Sequence, residues 1–179
     1  MSRKHIVMVA LAALAALGCY ALVGSPKRPD GGSGLLTIGA SAPDFTARDA
    51  SGKHLTLGSL RGKPAVVFFY PKDGTPGCTK EACAFRDSFN EYERHGATLI
   101  GVSSDSEGSH DKFRVEHKLP FPLASDENGA VANAYGVKRF ASLAQRITFV
   151  VDKDGKIAKV FPNVDPGIHA QEVLAALPR

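Results

Sequence analysis

From Leu35 onward the apolar positions fall into two periodicities. Phe45-Thr46-Ala47 and His54–Leu57 flank a Ser51-Gly52 turn, which predicts a short N-terminal hairpin. Ala65–Tyr70 is an unbroken apolar run ended by Pro71, the pattern of a central strand buried on both faces. The period then changes. Ala82, Phe85, Phe89 and Tyr92 recur at helical spacing with charges between them, so Thr79–His95 reads as one amphipathic helix stopped by Gly96. Thr98–Ser103 predicts the next strand and Ser109–Lys118 a helix closed by Pro120. Asp126 is placed to cap a short helix running to Ala134. Ile147–Asp152 and Lys156–Phe161 flank Lys153-Asp154-Gly155 as a second hairpin, and a helix over His169–Leu177 ends the chain. The order β-α-β-α-β-β-α predicts an α/β fold with a central mixed sheet flanked by helices.

Residues 1–25 follow neither period. Arg3-Lys4-His5 precedes the Ala/Leu/Val run Ile6–Leu17, which predicts a signal, lipoprotein or membrane-anchor segment. Ala16-Leu17-Gly18-Cys19 is similar to a lipobox, Ile6–Val23 is just long enough for an uncleaved anchor, and simple cleavage is the third alternative. Each puts the remainder outside the cytoplasm, on the periplasmic side, membrane-attached or exported. Two prolines and three glycines in Ser25–Gly34 predict a flexible tether over 26–34, and residues 35–179 form one domain. Composition adds little. With 44% hydrophobic and 22% charged residues the chain is globular rather than disordered or polytopic. The +4 charge shrinks to 20 basic against 18 acidic residues once Arg3 and Lys4 are set aside, and no basic cluster suits nucleic acid. Three cysteines are too few for a disulfide scaffold, and no Cys/His spacing predicts a metal site.

Chemistry concentrates between Tyr70 and Cys83. Pro71, Thr75, Pro76 and Gly77 crowd Cys78 at the point where a buried strand hands over to a helix. Unpaired N–H groups at a helix start favour an anion, so a thiol there tends toward thiolate, the attacking form. Lowering a cysteine pKa from about 8.5 to about 6 needs roughly 3.4 kcal/mol. A helix terminus gives roughly 1–2 kcal/mol, so a fixed cation should supply the difference. Thr75 offers a hydroxyl that can accept from a substrate while donating to the sulfur. Pro71 and Pro76 stiffen and shield the loop. Glu81, Arg86 and Asp87 read as the solvated helix face, and His54, His95, His110, His117 and His169 as surface residues without metal or base roles.

These residues resemble the peroxiredoxins, and closely their bacterioferritin-comigratory (Q-type) branch. Pro71, Thr75 and Cys78 match the family's Pro-x3-Thr-x2-Cys motif, and Cys83 its second cysteine five residues on. Gly39-x2-Ala42-Pro43-x-Phe45, Tyr135-Gly136-Val137, Gln145–Asp152 and His169-Ala170-x-Glu172-Val173-Leu174 also agree, so that the resemblance covers about Leu36–Leu177. Lys138–Gln145 is a shorter loop than in some relatives. The resemblance implies a thioredoxin-like fold and a monomeric thiol peroxidase that reduces hydrogen peroxide and organic hydroperoxides without haem or metal. It implies Cys78 as the peroxidatic residue, Cys83 as the resolving one and Arg146 as the active-site cation. It also implies an intramolecular Cys78–Cys83 disulfide, recycled by thioredoxin or a similar dithiol. The alternatives are an extracytoplasmic thiol–disulfide exchange protein, for which Cys-x4-Cys is the wrong spacing, and a non-catalytic binding domain.

Overall fold

A computed structural model describes residues 27–49 and 51–177. The leader and anchor readings of residues 1–25 therefore lie outside the described residues. Within the segment expected to be a tether, Lys27 bridges to Ser33, and Arg28 Nη1 donates to the carbonyls of Gly34 and Leu35.

Seven strands form one mixed sheet. They are β1 (Thr46–Arg48), β2 (His54–Thr56), β3 (Ala65–Phe69), β4 (Thr98–Ser103), β5 (Leu123–Ser125), β8 (Ile147–Val151) and β9 (Ile157–Phe161), in the order β2-β1-β5-β4-β3-β8-β9. β3, β4 and β5 run parallel, while β8 lies antiparallel to β3 in the register Phe68↔Thr148. Every residue of β3 and β8 is buried, as the continuous apolar runs require. The predicted hairpin β1–β2 forms and joins the sheet edge through β5.

Strand alternation divides the core. Val67, Phe69, Ile100, Val102 and Phe149 face Leu36, Phe45, Tyr135 and Val137. On the other face Val66, Phe68, Tyr70, Leu99 and Val150 meet the helices α1 (Pro76–Asp87), α2 (Phe89–Arg94), α3 (Glu107–His117) and α5 (His169–Ala175), and Cys78 belongs to this second layer. Helix α4 (Ala130–Tyr135) covers the first face. Asp126 lies ahead of α4 but caps it as expected, its carboxylate accepting from the Val131 and Ala132 N–H groups.

Three local expectations are corrected. The helix expected over Thr79–His95 is two helices, broken at Ser88, whose φ −98°, ψ 4° lies in the sparsely allowed bridge region. The break turns Phe89 toward Phe121 and lets the Tyr92 hydroxyl donate to the Ala170 carbonyl at 2.5 Å. Strand β5, only three residues long, follows Pro120 and Pro122, which mask its apolar character. The short Lys138–Gln145 segment contains a third, unexpected hairpin, β6 (Arg139–Phe140) with β7 (Leu143–Ala144). Its turn residues Ala141 and Ser142 have φ of 48° and 72° without glycine or asparagine to announce them.

Gly101 in the middle of β4 is a place where two aromatic rings close in. A Cβ there would stand 2.6 Å from Leu123 Cδ2 and 2.9 Å from Phe68 Cζ, both in fully packed side chains. Gly101→Ala is therefore expected to cost about 1–3 kcal/mol of overpacking. The check is the urea midpoint at unchanged m-value; a midpoint equal to the parent's would mean that this layer repacks freely.

Candidate active site

Pro76 occupies the first turn of α1, where its missing N–H costs nothing, and Thr75 is the N-cap residue. Cys78 follows within the same turn, only 2% exposed, with its thiol directed into the helix-covered layer. On the sheet, alternation along β8 puts Arg146 on the face shared by Thr148 and Val150. The two meet: Arg146 Nη2 donates to Cys78 Sγ at 3.2 Å. Gly77 lies beside the same group: a Cβ at that position would stand 3.4 Å from Nη2, an ordinary contact.

The second partner of Arg146 is a correction. Glu81, expected on the solvated face of the helix, is 1% exposed, and its Oε2 accepts from Arg146 Nη1. Its Oε1 is buried without a hydrogen-bond partner. Burial pushes the Glu81 carboxyl up to about 7 even though the Arg146 charge and hydrogen bond pull it down. For Arg146, burial opposes the charged form, but Glu81 and Cys78 outweigh it and the guanidinium is held above its ordinary value. The signal for Glu81 was present in the spacing. It stands three residues after Cys78 and four before Phe85, on the stripe that must face the sheet.

Thr75 is at the rim, half-buried, and its hydroxyl donates to the Lys72 carbonyl at 3.0 Å. The expected donation to the sulfur is not made; the loop turns back at Gly74 (φ 68°) and the hydroxyl is used within it. Pro71 is half-buried at the start of that loop. Cys83 is half-buried on the same helix as Cys78, and both are free thiols. Arg86 and Asp87 do pair at 2.8 Å on the outer face, with Arg86 also donating to the His117 carbonyl.

Two histidines read as surface residues are buried instead. His169 is 0% exposed, its Nε2 is 2.8 Å from Thr148 Oγ1, and its ring packs edge-on against Phe85 and Phe161. Burial lowers its pKa, partly countered by Glu172, so the ring is neutral at physiological pH. His110, 2% exposed, lies 2.9 Å from an oxygen of Asp73, two residues before Thr75. His54 and His95 are exposed as expected.

Residues 38–160 match the AhpC/TSA family. The chain is 43% identical to peroxiredoxin Q of Sedum lineare, a chloroplastic protein, over 156 residues covering 86% of this chain and 84% of the relative. Among solved structures it is similar to peroxidoxin BcpB of Mycobacterium tuberculosis, with TM-score 0.72, 38% identity and coverage of 79% and 96% of the two chains. It is also similar to the bacterioferritin comigratory protein of Xanthomonas campestris, with TM-score 0.70, 34% identity and coverage of 80% and 96%. That structure's subject is alkyl peroxide reduction by the Xanthomonas protein. The extracytoplasmic, membrane-attached location expected from residues 1–25 is overturned. The finding against it is that the plant relative is chloroplastic; no helix among the described residues is long and apolar enough to cross a membrane, and residues 1–25 are not among them.

Glu81 sets one expectation. Its folded pKa is raised from 4.5 to about 7, so its contribution to stability is complete below 4.5 and is lost as pH rises through 7. Glu81→Gln removes this titration, so the variant should gain stability relative to the parent across that window. Chemical denaturation at stepped pH is the measurement; parallel stability profiles would show that Glu81 does not titrate in this range.

Proposed function

The chain belongs to the AhpC/TSA family and is a peroxiredoxin, a thiol peroxidase, and on that premise we propose that Cys78 is its peroxidatic residue, Cys83 its resolving residue and Arg146 the cation that serves both thiolate and peroxide. The observation that carries this reading is the 3.2 Å contact from Arg146 Nη2 to a buried thiol at a helix start. An arginine fork in that position can hold a sulfur anion and a peroxide oxygen together.

The Cys78 thiolate attacks one peroxide oxygen, the O–O bond breaks, and the departing oxygen takes a proton to leave as water or an alcohol. Cys78 becomes a sulfenic acid. The Cys83 thiol then attacks that sulfur and expels water, forming the Cys78–Cys83 disulfide, and thioredoxin or a similar dithiol returns both to thiols by exchange. Thr75 donates its hydroxyl hydrogen to the Lys72 carbonyl, so its lone pairs are oriented to accept from a hydroperoxide O–H. Pro71 shapes the loop. Hydrogen peroxide and organic hydroperoxides are the substrates, the latter supported by the alkyl peroxide activity of the Xanthomonas relative.

Resolution requires movement. Both cysteines lie on α1, where five residues give about 7.5 Å of rise and about 140° of rotation. A disulfide needs Cα atoms within about 7 Å and converging Cβ vectors, so the turns around Thr79–Ala82 unwind before it closes. Phe85 is 0% exposed and holds the next turn to the core, which favours opening from the Pro76-Gly77 end.

Cys78→Ser should abolish peroxide consumption, whereas Cys83→Ser should permit one rapid oxidation and then stop. Arg146→Lys should slow oxidation, and Arg146→Met should slow it further, by about 100-fold. Stopped-flow oxidation of the purified protein makes the comparison; equal reactivity of the two cysteine variants would overturn the assignment. Amide exchange over residues 78–84 should be faster in the disulfide form than in the dithiol form, and identical protection would exclude the unwinding step.

A further inference from the structure

Helix α3 holds the segment containing Cys78 and Cys83 from both sides. On the C-terminal side, Arg86 Nη1 donates to the carbonyl of His117, the last residue of α3, at 2.8 Å. On the N-terminal side the anchor is Asp73, in the loop between β3 and α1. Its carboxylate accepts from the Tyr70 hydroxyl at 2.7 Å, from Ser109 Oγ at 2.8 Å and from His110 Nδ1 at 2.9 Å. Its backbone N–H donates to Asp105 Oδ2 at 2.8 Å, and Ser103 Oγ fixes the same oxygen at 2.7 Å.

The cluster is built for an ionised carboxylate. The Asp73 side chain is 7% exposed and that of His110 is 3% exposed. Burial alone would raise the Asp73 pKa, but the bonds from His110, Tyr70 and Ser109 outweigh it and hold the carboxyl below its ordinary range. An acceptor-only carboxylate requires that His110 carry its proton on Nδ1. Burial and the Asp73 charge keep the Tyr70 phenol protonated, so it remains a donor. Little else fixes this loop: Gly74 is left-handed, Pro71 and Pro76 lack N–H groups, and the Thr75 hydroxyl bonds only within the loop.

We propose that Asp73 is a positioning residue, bolted to α3 through Ser109 and His110, which keeps the Thr75–Cys78 segment in the closed arrangement that meets peroxide and thereby opposes the unwinding that brings Cys78 to Cys83. The proposal rests on the assignment of Cys78 and Cys83 made above. It gives Asp73 opposite effects on the two half-reactions. Tightening the loop favours oxidation, which needs Cys78 beside Arg146, and retards resolution, which needs Cys78 to leave it. A side chain that served only stability would move the two steps together or not at all.

The experiment is stopped-flow kinetics on the full chain, in which the peroxide-dependent phase and the peroxide-independent disulfide phase are read separately. Asp73→Asn presents an amide to three donors and loses the charge, so oxidation should slow about tenfold while disulfide formation accelerates. Ser109→Ala, a milder change at a half-buried site, should shift both steps in the same directions by about threefold, and Ser109→Thr should restore both. Excess peroxide should overoxidise Asp73→Asn less readily than the parent, because its sulfenic acid is consumed sooner. Both phases slowing together in Asp73→Asn and Ser109→Ala, or neither changing, would overturn the positioning role while leaving the cysteine assignment intact. A parent protein without any Cys78-dependent oxidation phase would remove the assignment and the positioning role with it.

Discussion

Arg146 carries a full positive charge into a half-buried space between a carboxyl and a sulfur, and much of the architecture exists to make that arrangement tolerable. Desolvating a guanidinium costs several kcal/mol, recovered only where good hydrogen-bonding geometry surrounds it. The partners come from one helix at i and i+3, Cys78 and Glu81, so a single rigid element presents both at a fixed separation. The cation is the residue immediately before β8, a strand whose every residue is buried and which is held in register against the central β3. The strand cannot shift by a residue without reversing the face on which Arg146 emerges, and a one-residue shift of the helix would swing Cys78 and Glu81 by about 100°.

The same helix must satisfy opposed demands. Its second half is anchored by packing: Phe85 lies 4.7 Å from Phe68 and 5.6 Å from His169, centroid to centroid. Its first turn begins Pro-Gly, has no side-chain cap bond, and depends on outside groups for its position. Order in the first turn is thus imposed by the sheet through Arg146 and by α3 through the preceding loop, rather than by helix propensity. An element organised this way can open at one end without the core beneath it coming apart.

The strands were legible because Ala65–Phe69 and Ile147–Val151 are apolar enough to allow no other placement. The cysteine loop was legible because proline and glycine around a thiol at a strand–helix boundary have few packing uses, and the family resemblance nominated Arg146. Glu81, His110 and His169 were misread for a common reason. Each is polar, and each is buried with a partner that arrives from 65, 37 and 21 residues away; only Glu81, on the Cys78–Phe85 stripe, carried a local sign of the face it takes. Local patterning weighs a charge by its own hydration and has no access to a counter-group delivered by tertiary structure. The break at Ser88 and the glycine-free turn at Ala141-Ser142 escaped for a related reason: packing, not local preference, selects their backbone angles.

The turn formed by residues 27–34 has a practical corollary. It leads through Leu36, whose N–H donates to the Tyr135 carbonyl, into the core layer on the first face of the sheet, while Cys78 lies in the layer beneath the helices on the other. A fluorophore, affinity handle or solid support joined directly to Lys27 therefore sits on the chain that leads to the face of the seven-stranded sheet opposite Cys78. Immobilisation by that end turns the helix-covered face, in which Cys78 is buried at 2% exposure, away from the support, so a coated surface would present the reactive face outward.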